Sequence, residues 1–142
     1  MQTYQMTVRR LDEFHAESHV RDFTLTTGVK RADPTAGPNA VETLLSALGT
    51  CLLTNVNTLM AQMHLAIADA RVELTATRQD DPPLITGIRF QLILTSSEPR
   101  KRLETVFELA QKWGTVSNTL LRAVALEAEL ITIPFNDTDN EL

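Results

Sequence analysis

The chain has 142 residues, 43% of them hydrophobic but only 5% aromatic, which fits one globular domain with an aliphatic core. Eighteen acidic residues against thirteen basic ones give a formal net charge of -5, a balance that argues against a surface tracking nucleic-acid phosphates. No run approaches the roughly 20 consecutive apolar residues of a membrane-crossing helix, and the opening MQTYQMTVRR has no apolar stretch followed by small residues, so the expected location is the cytoplasm with no membrane partner.

Residues 1–29 alternate loosely. Val8 and Arg10 are separated from Val20, Phe23 and Leu25 by the polar run Asp12 to Ser18, and Gly28 follows; the pattern predicts two strands joined as a hairpin. KRADPTAGPN, residues 30–39, carries both Pro and Gly and reads as a loop. Val41, Leu44, Leu45, Leu48, Leu52, Val56, Leu59, Met60 and Met63 then recur at three- and four-residue steps. This spacing predicts a helix over 38–64, with Pro38 in its first turn, Gly37 as a candidate cap, and apolar residues on more than one side. Such a helix is expected at the centre of the fold.

The segment 70–134 is expected to hold strands and helices. Val72, Leu74 and Ala76 alternate, as do Ile88, Phe90, Leu92 and Leu94, and QDDPP, residues 79–83, turns between them. An antiparallel pair with one covered face follows. Ser97, Glu98 and Pro99 open a helix marked by Leu103, Val106, Phe107 and Ala110 that ends near Gly114, read as a C′ glycine; Thr115 or Ser117 is expected to cap a short second helix. Val124 to Ile133 reads as a last strand, and the acidic tail 135–142 as frayed. Helices set beside a mostly antiparallel sheet make an α+β fold. A domain this small buries only about two-thirds or a little more of its unfolded surface, so an exposed apolar face points to a subunit interface.

Three stretches carry a resemblance. GPNAVETLLSALGTC (37–51), ARVELTATR (70–78) and KWGTVSNTL (112–120) resemble segments of the OsmC/Ohr family, the osmotically inducible and organic-hydroperoxide-resistance proteins, and the element order agrees along nearly the whole chain. The resemblance implies a single OsmC-like domain over 1–142 and an intertwined homodimer with the long helix of each subunit at its centre. It also implies reduction of organic hydroperoxides: a peroxidatic cysteine becomes a sulfenic acid, a second cysteine resolves it, and an arginine and a glutamate hold the thiolate ready. The chemistry needs a thiolate, a cation to stabilise it and a thiol to trap the oxidised sulfur.

Carried onto this chain, the resemblance places Cys51 at the peroxidatic position and Gly114 where the second cysteine belongs. The peroxidase glutamate falls ten residues before the cysteine, at Val41; Glu42 stands one place later, as in many OsmC-like proteins not known as peroxidases. Ten helical steps leave a side chain within about 80° of the cysteine's direction, whereas nine put it roughly 180° away. Arg31, twenty residues before Cys51, is the candidate thiolate partner, with Arg9, Arg10 and Arg21 as rivals. The candidate catalytic set is therefore Cys51, Arg31 and Glu42.

Each has a plainer reading. The only cysteine of the chain can serve as a small core hydrophobe, and its singleness excludes an intramolecular disulfide and an all-cysteine zinc site. Arg31 can be a solvated loop charge, and Glu42 an acidic residue favoured at a helix start. His15, His19 and His64 lack metal-ligand spacing on a shared helix face, Met60 and Met63 read as core filler, and Trp113 as an aromatic closing a helix end. No cofactor or metal is expected. Two functions stand open: a one-cysteine organic hydroperoxide reductase recycled by an external thiol, and a non-catalytic homodimer holding a small apolar ligand in its interface cleft.

Overall fold

In the computed structural model, described here for residues 1–136, the polar run after Leu11 is itself a strand. Three strands therefore precede the helix rather than two: β1 (Thr7–Arg10), β2 (His15–Val20) and β3 (Phe23–Gly28), antiparallel in the order β1-β2-β3. The residues of β2, HAESHV, alternate small with polar rather than apolar with polar, which hides the period of two from a hydrophobicity reading. The turn into it is made by Asp12, whose Oδ1 accepts from the Phe14 and His15 N–H groups at 2.7 and 2.8 Å. These two bonds and the His15 ring beside it hold the Asp12 carboxyl below its ordinary pKa, the His15 side chain contributing most.

The chain forms two compact units, Met1–Leu44 and Leu45–Leu142. In the first, β3 runs into a loop with a short 3₁₀ turn, Pro34–Ala36, capped by the Asp33 side chain. Gly28 is required there by close approach, since a Cβ would stand 2.7 Å from the Gly37 carbonyl oxygen. The first turn of the long helix α1 (Ala40–Met63) also belongs to this unit. Its cap is Asn39, not Gly37: Asn39 Oδ1 accepts from the Glu42 N–H, Glu42 Oε1 accepts from the Asn39 N–H, both at 3.0 Å, and the Asn39 carbonyl accepts the first helical bond from Thr43. This reciprocal pair is a capping box, and it starts the helix at Ala40, two residues later than Pro38.

In the second unit, β4 (Ile67–Asp80) and β5 (Pro83–Ser96) form the expected antiparallel pair, each longer than the sequence pattern indicates. They are followed by α2 (Arg100–Lys112), α3 (Thr115–Leu120) and β6 (Ala125–Pro134), which lies parallel to β5 at the edge of the sheet β4-β5-β6. Ile88, Phe90, Leu92 and Leu94 point one row of β5 side chains into the core; with Leu48, Leu52, Val56 and Leu59 of α1 and Leu103, Val106 and Ala110 of α2 they are at most 2% exposed. Each large aliphatic side chain so placed contributes about 1.5–3 kcal/mol. Met60 and Met63 pack against this core, as expected. The tail residues 137–142, expected to fray, lie outside the described residues.

The long helix departs from the sequence expectation in one respect. Its length and composition suffice to cross a membrane, and its Leu48, Leu52, Val56 and Leu59 are buried in the second unit, yet Ser46, Ala47, Thr50, Thr54, Asn57 and Thr58 stand exposed. The helix thus has one buried side, with small and hydroxylated residues on the other. Its carboxyl end is fixed by a polar clasp from α2. Arg102 Nη2 donates to the Met63 carbonyl at 2.7 Å and Nη1 to Glu98 Oε2 at 2.7 Å, while Glu98 Oε1 accepts from the Ala66 N–H at 3.0 Å. The Ala66 bond first, and Arg102 second, hold the Glu98 carboxyl below the usual glutamate range.

Candidate functional site

Cys51 lies near the middle of α1, half-buried and free. The helical repeat places Asn55 four residues on along the same face. Asn55 Nδ2 donates to the Ala110 carbonyl at 2.9 Å. That carbonyl is open to it because the last turn of α2 tightens: the Gly114 N–H bonds to Gln111 instead, at 3.1 Å, leaving Ala110 without its i+4 partner. One face of α1 is thereby seated on the junction between α2 and α3, and the residue at that junction is Gly114.

Gly114 has φ -78° and ψ 114°, an extended backbone open to any residue, so its expected role as a left-handed C′ glycine does not hold. The residue that ends α2 is Trp113, and Gly114 is itself the N-cap of α3, without a side-chain cap from Thr115 or Ser117. Conformation does not require the glycine, and a side chain here would meet close neighbours. A Cβ at this position would overlap Ser117 Oγ, stand 3.2 Å from the Ala110 oxygen and 3.3 Å from Cys51 Sγ. Ser117, only 2% exposed, points its hydroxyl back toward the junction, 3.0 Å from both the Gln111 and the Gly114 carbonyl oxygens.

Position 114, set against Cys51 by the family registration of KWGTVSNTL, is therefore also against it in space. Asn55 was not singled out from the sequence, although it had a usable signal in its four-residue spacing from Cys51; Ser117 was read only as a candidate helix cap, because its place at the junction depends on how α2 and α3 meet. Val41 is half-buried. Glu42 lies in the first unit with its carboxylate engaged on Asn39, a more specific helix-start role than a general preference for acidic residues. Arg31 stands exposed in the loop after β3, and among the described residues it has no ion-pair partner. Of its rivals, Arg21 lies over the Phe23 ring at 5.6 Å.

The histidines of β2 pair locally, His15 Nδ1 with Asp12 at 3.1 Å and His19 Nε2 with Glu17 at 2.6 Å. Among the described residues no three His, Cys, Asp or Glu side chains gather as a metal site. Trp113, 47% exposed, stands beside Gly114 at the end of α2.

Two three-stranded sheets, a long helix bearing a single cysteine, and a helix junction closing on that sulfur define an α+β fold with a candidate thiol site. The family profile described as OsmC-like protein matches residues 31–129, and the chain belongs to that family. Its fold is similar to an OsmC-like protein from Mycoplasma pneumoniae, at 16% identity and a TM-score of 0.84 over 93% of this chain and 98% of that one. It is also similar to the organic hydroperoxide resistance protein OhrB of Bacillus subtilis, at 14% identity and 0.64 over 91% and 98%. An organic hydroperoxide resistance protein OsmC from Legionella pneumophila is similar at 11% identity and 0.69 over 92% and 98%. None of the curated proteins matches the sequence significantly.

Proposed function

We propose that this OsmC-like protein is a one-cysteine organic hydroperoxide reductase that draws on an external thiol. The observation that carries the reading is the half-buried Cys51, held on α1 with its sulfur facing position 114. In the reaction the Cys51 thiolate attacks the terminal peroxide oxygen; the O–O bond breaks, the alcohol leaves with a proton, and the sulfur becomes a sulfenic acid. An external thiol then forms an S–S bond with Cys51 as water departs, and a second thiol attacks that external sulfur and displaces the Cys51 thiolate, so two thiols are oxidised to a disulfide for each peroxide reduced. Arg31 is the proposed cation for the thiolate.

The working form is a cytoplasmic homodimer. Support for a partner copy comes from the first unit, where Val8, Phe23 and Leu25 share one face of the β1-β2-β3 sheet and are 64%, 64% and 58% exposed. The second reading, a non-catalytic dimer that holds a small apolar ligand, is favoured by the two departures Val41 and Gly114 and by the engagement of Glu42 on Asn39.

The test is intact-mass analysis of the reduced protein after a short pulse of cumene hydroperoxide with a dimedone trap, beside Cys51→Ser. A fast adduct at stoichiometric peroxide, absent from the variant, is the expected result. A thiol that stays free and unmodified would leave the ligand-binding dimer in possession.

A further inference from the structure

We propose that Asn55 is a positioning residue for Cys51: its amide is the tie by which α1 holds the α2–α3 junction closed over the sulfur, and it thereby sets how large a reagent reaches the thiol. The functional meaning of the tie rests on the one-cysteine reading, while the tie itself belongs to the fold.

The last turn of α2 leaves carbonyls that need partners from outside the regular helix. Most find them within α2 and α3. The Leu109 carbonyl accepts from the Trp113 N–H at 3.0 Å, the Gln111 carbonyl from the Gly114 N–H at 3.1 Å and the Ser117 hydroxyl at 3.0 Å, and the Lys112 carbonyl from Asn118 Nδ2 at 3.0 Å. Ala110 differs. Its i+4 donor, the Gly114 N–H, is turned to Gln111, the residue is 0% exposed, and the donor that reaches its carbonyl is Asn55 Nδ2 at 2.9 Å. Among the described residues no other hydrogen bond joins α1 to this junction; the bond from Arg102 to the Met63 carbonyl lies at the start of α2.

A carbonyl oxygen only accepts, so the nitrogen of the Asn55 amide, and not its oxygen, has to face Ala110. Without that donor the closed junction contains a buried carbonyl with no partner, and the group regains one from water only when the junction lifts from α1. Closure then weakens by about a factor of ten, the lower part of the usual penalty for such a group. Cys51 stands four residues before Asn55 on the same face of α1, and Gly114 is the junction residue beside it, since a Cβ there would stand 3.3 Å from Sγ. Lifting the junction therefore uncovers the sulfur.

The test uses the reduced full chain, in which Cys51 is the only thiol and Trp113 the only tryptophan. Wild type and Asn55→Leu are timed by intact mass against iodoacetamide, which is small, and against a pyrenyl maleimide, which is bulky. Because Cys51 is half-buried, the small reagent reaches it beside the closed junction. Asn55→Leu is expected to react about tenfold faster with the maleimide and less than about threefold faster with iodoacetamide. An equal rise with both reagents marks a general loosening and overturns the proposal, as does no rise with the maleimide.

A second arm reads the junction through Trp113, 47% exposed at the end of α2. Asn55→Asp keeps the size of asparagine, so it also serves where the leucine variant fails to fold. Its ionised carboxylate cannot donate to Ala110, whereas the protonated acid can. Acrylamide quenching of Trp113 is expected to exceed that of wild type at neutral pH and to converge on it as the solution is acidified toward about pH 4. No excess at neutral pH, or an excess that stays constant on acidification, overturns the proposal. Neither arm involves a peroxide, so a chain inert in the dimedone trap still passes or fails both on its own account.

Discussion

The two three-stranded sheets are built alike and dressed differently. In β4-β5-β6 the inward row of β5, Ile88 to Leu94, is at most 2% exposed beneath helices α1 and α2. In β1-β2-β3 the corresponding apolar row, with Val8, Phe23 and Leu25, is more than half exposed, and only the small Ala16 and Ser18 of the central strand are buried. A sheet face of this composition needs a cover. One sheet has its apolar row covered by helices of its own unit, while the other leaves its row exposed.

The largest effect should come from the covered sheet: Leu92→Ala is expected to cost about 2–5 kcal/mol in denaturant unfolding, through lost burial and a cavity. The same measurement on Leu25→Ala breaks or sharpens the contrast. A loss below about 0.5 kcal/mol means the first sheet keeps its apolar face in water, and a loss approaching that of Leu92→Ala, falling with protein dilution, means a second copy covers it. Between these lies the helix that starts in one unit and continues in the other. Asn39→Ala removes one half of the capping box and is expected to cost about 0.5–2 kcal/mol.

Smaller effects follow from charge. The Glu98 carboxyl is held below its ordinary value of 4.5 in the folded chain. Its contribution is therefore fully present above that value and is lost as pH falls through the lower folded value. The gap in melting temperature between wild type and Glu98→Gln should be open at neutral pH and close as the solution is acidified toward and below pH 4.5; a gap independent of pH would contradict the clasp. Least of all, Arg89→Ala, which breaks an ion pair with Glu127 whose members are 72% and 69% exposed, should move stability by no more than about 0.5 kcal/mol.

The α+β order and the second unit were legible because their signals are hydrophobic and periodic: Leu48 to Leu59 at helical steps, Ile88 to Leu94 at alternate places. Strand β2 was not, since Ala16 and Ser18 are buried by neighbouring strands rather than by their own apolarity. At the site, Cys51 and Gly114 could be paired through the family registration. The crowding around Gly114 could not be read, because it comes from a hydroxyl three residues on and a carbonyl of the preceding helix. Asn39 and Glu42 form an N-cap pair spelled out in sequence, yet the neighbouring Gly37 and Pro38 offered an equally local start.

The clasp at the other end of α1 bears on how the helix opens. Helix ends ordinarily fray on their own, and their amides exchange with solvent through small local fluctuations. Here the Met63 carbonyl is held by Arg102 in the first turn of α2 and the Ala66 N–H by Glu98 just before that helix, so unwinding the last turn releases contacts with another element. Amide protons near Met63 should then exchange together with those of α2, as one cooperative block rather than as a fraying terminus.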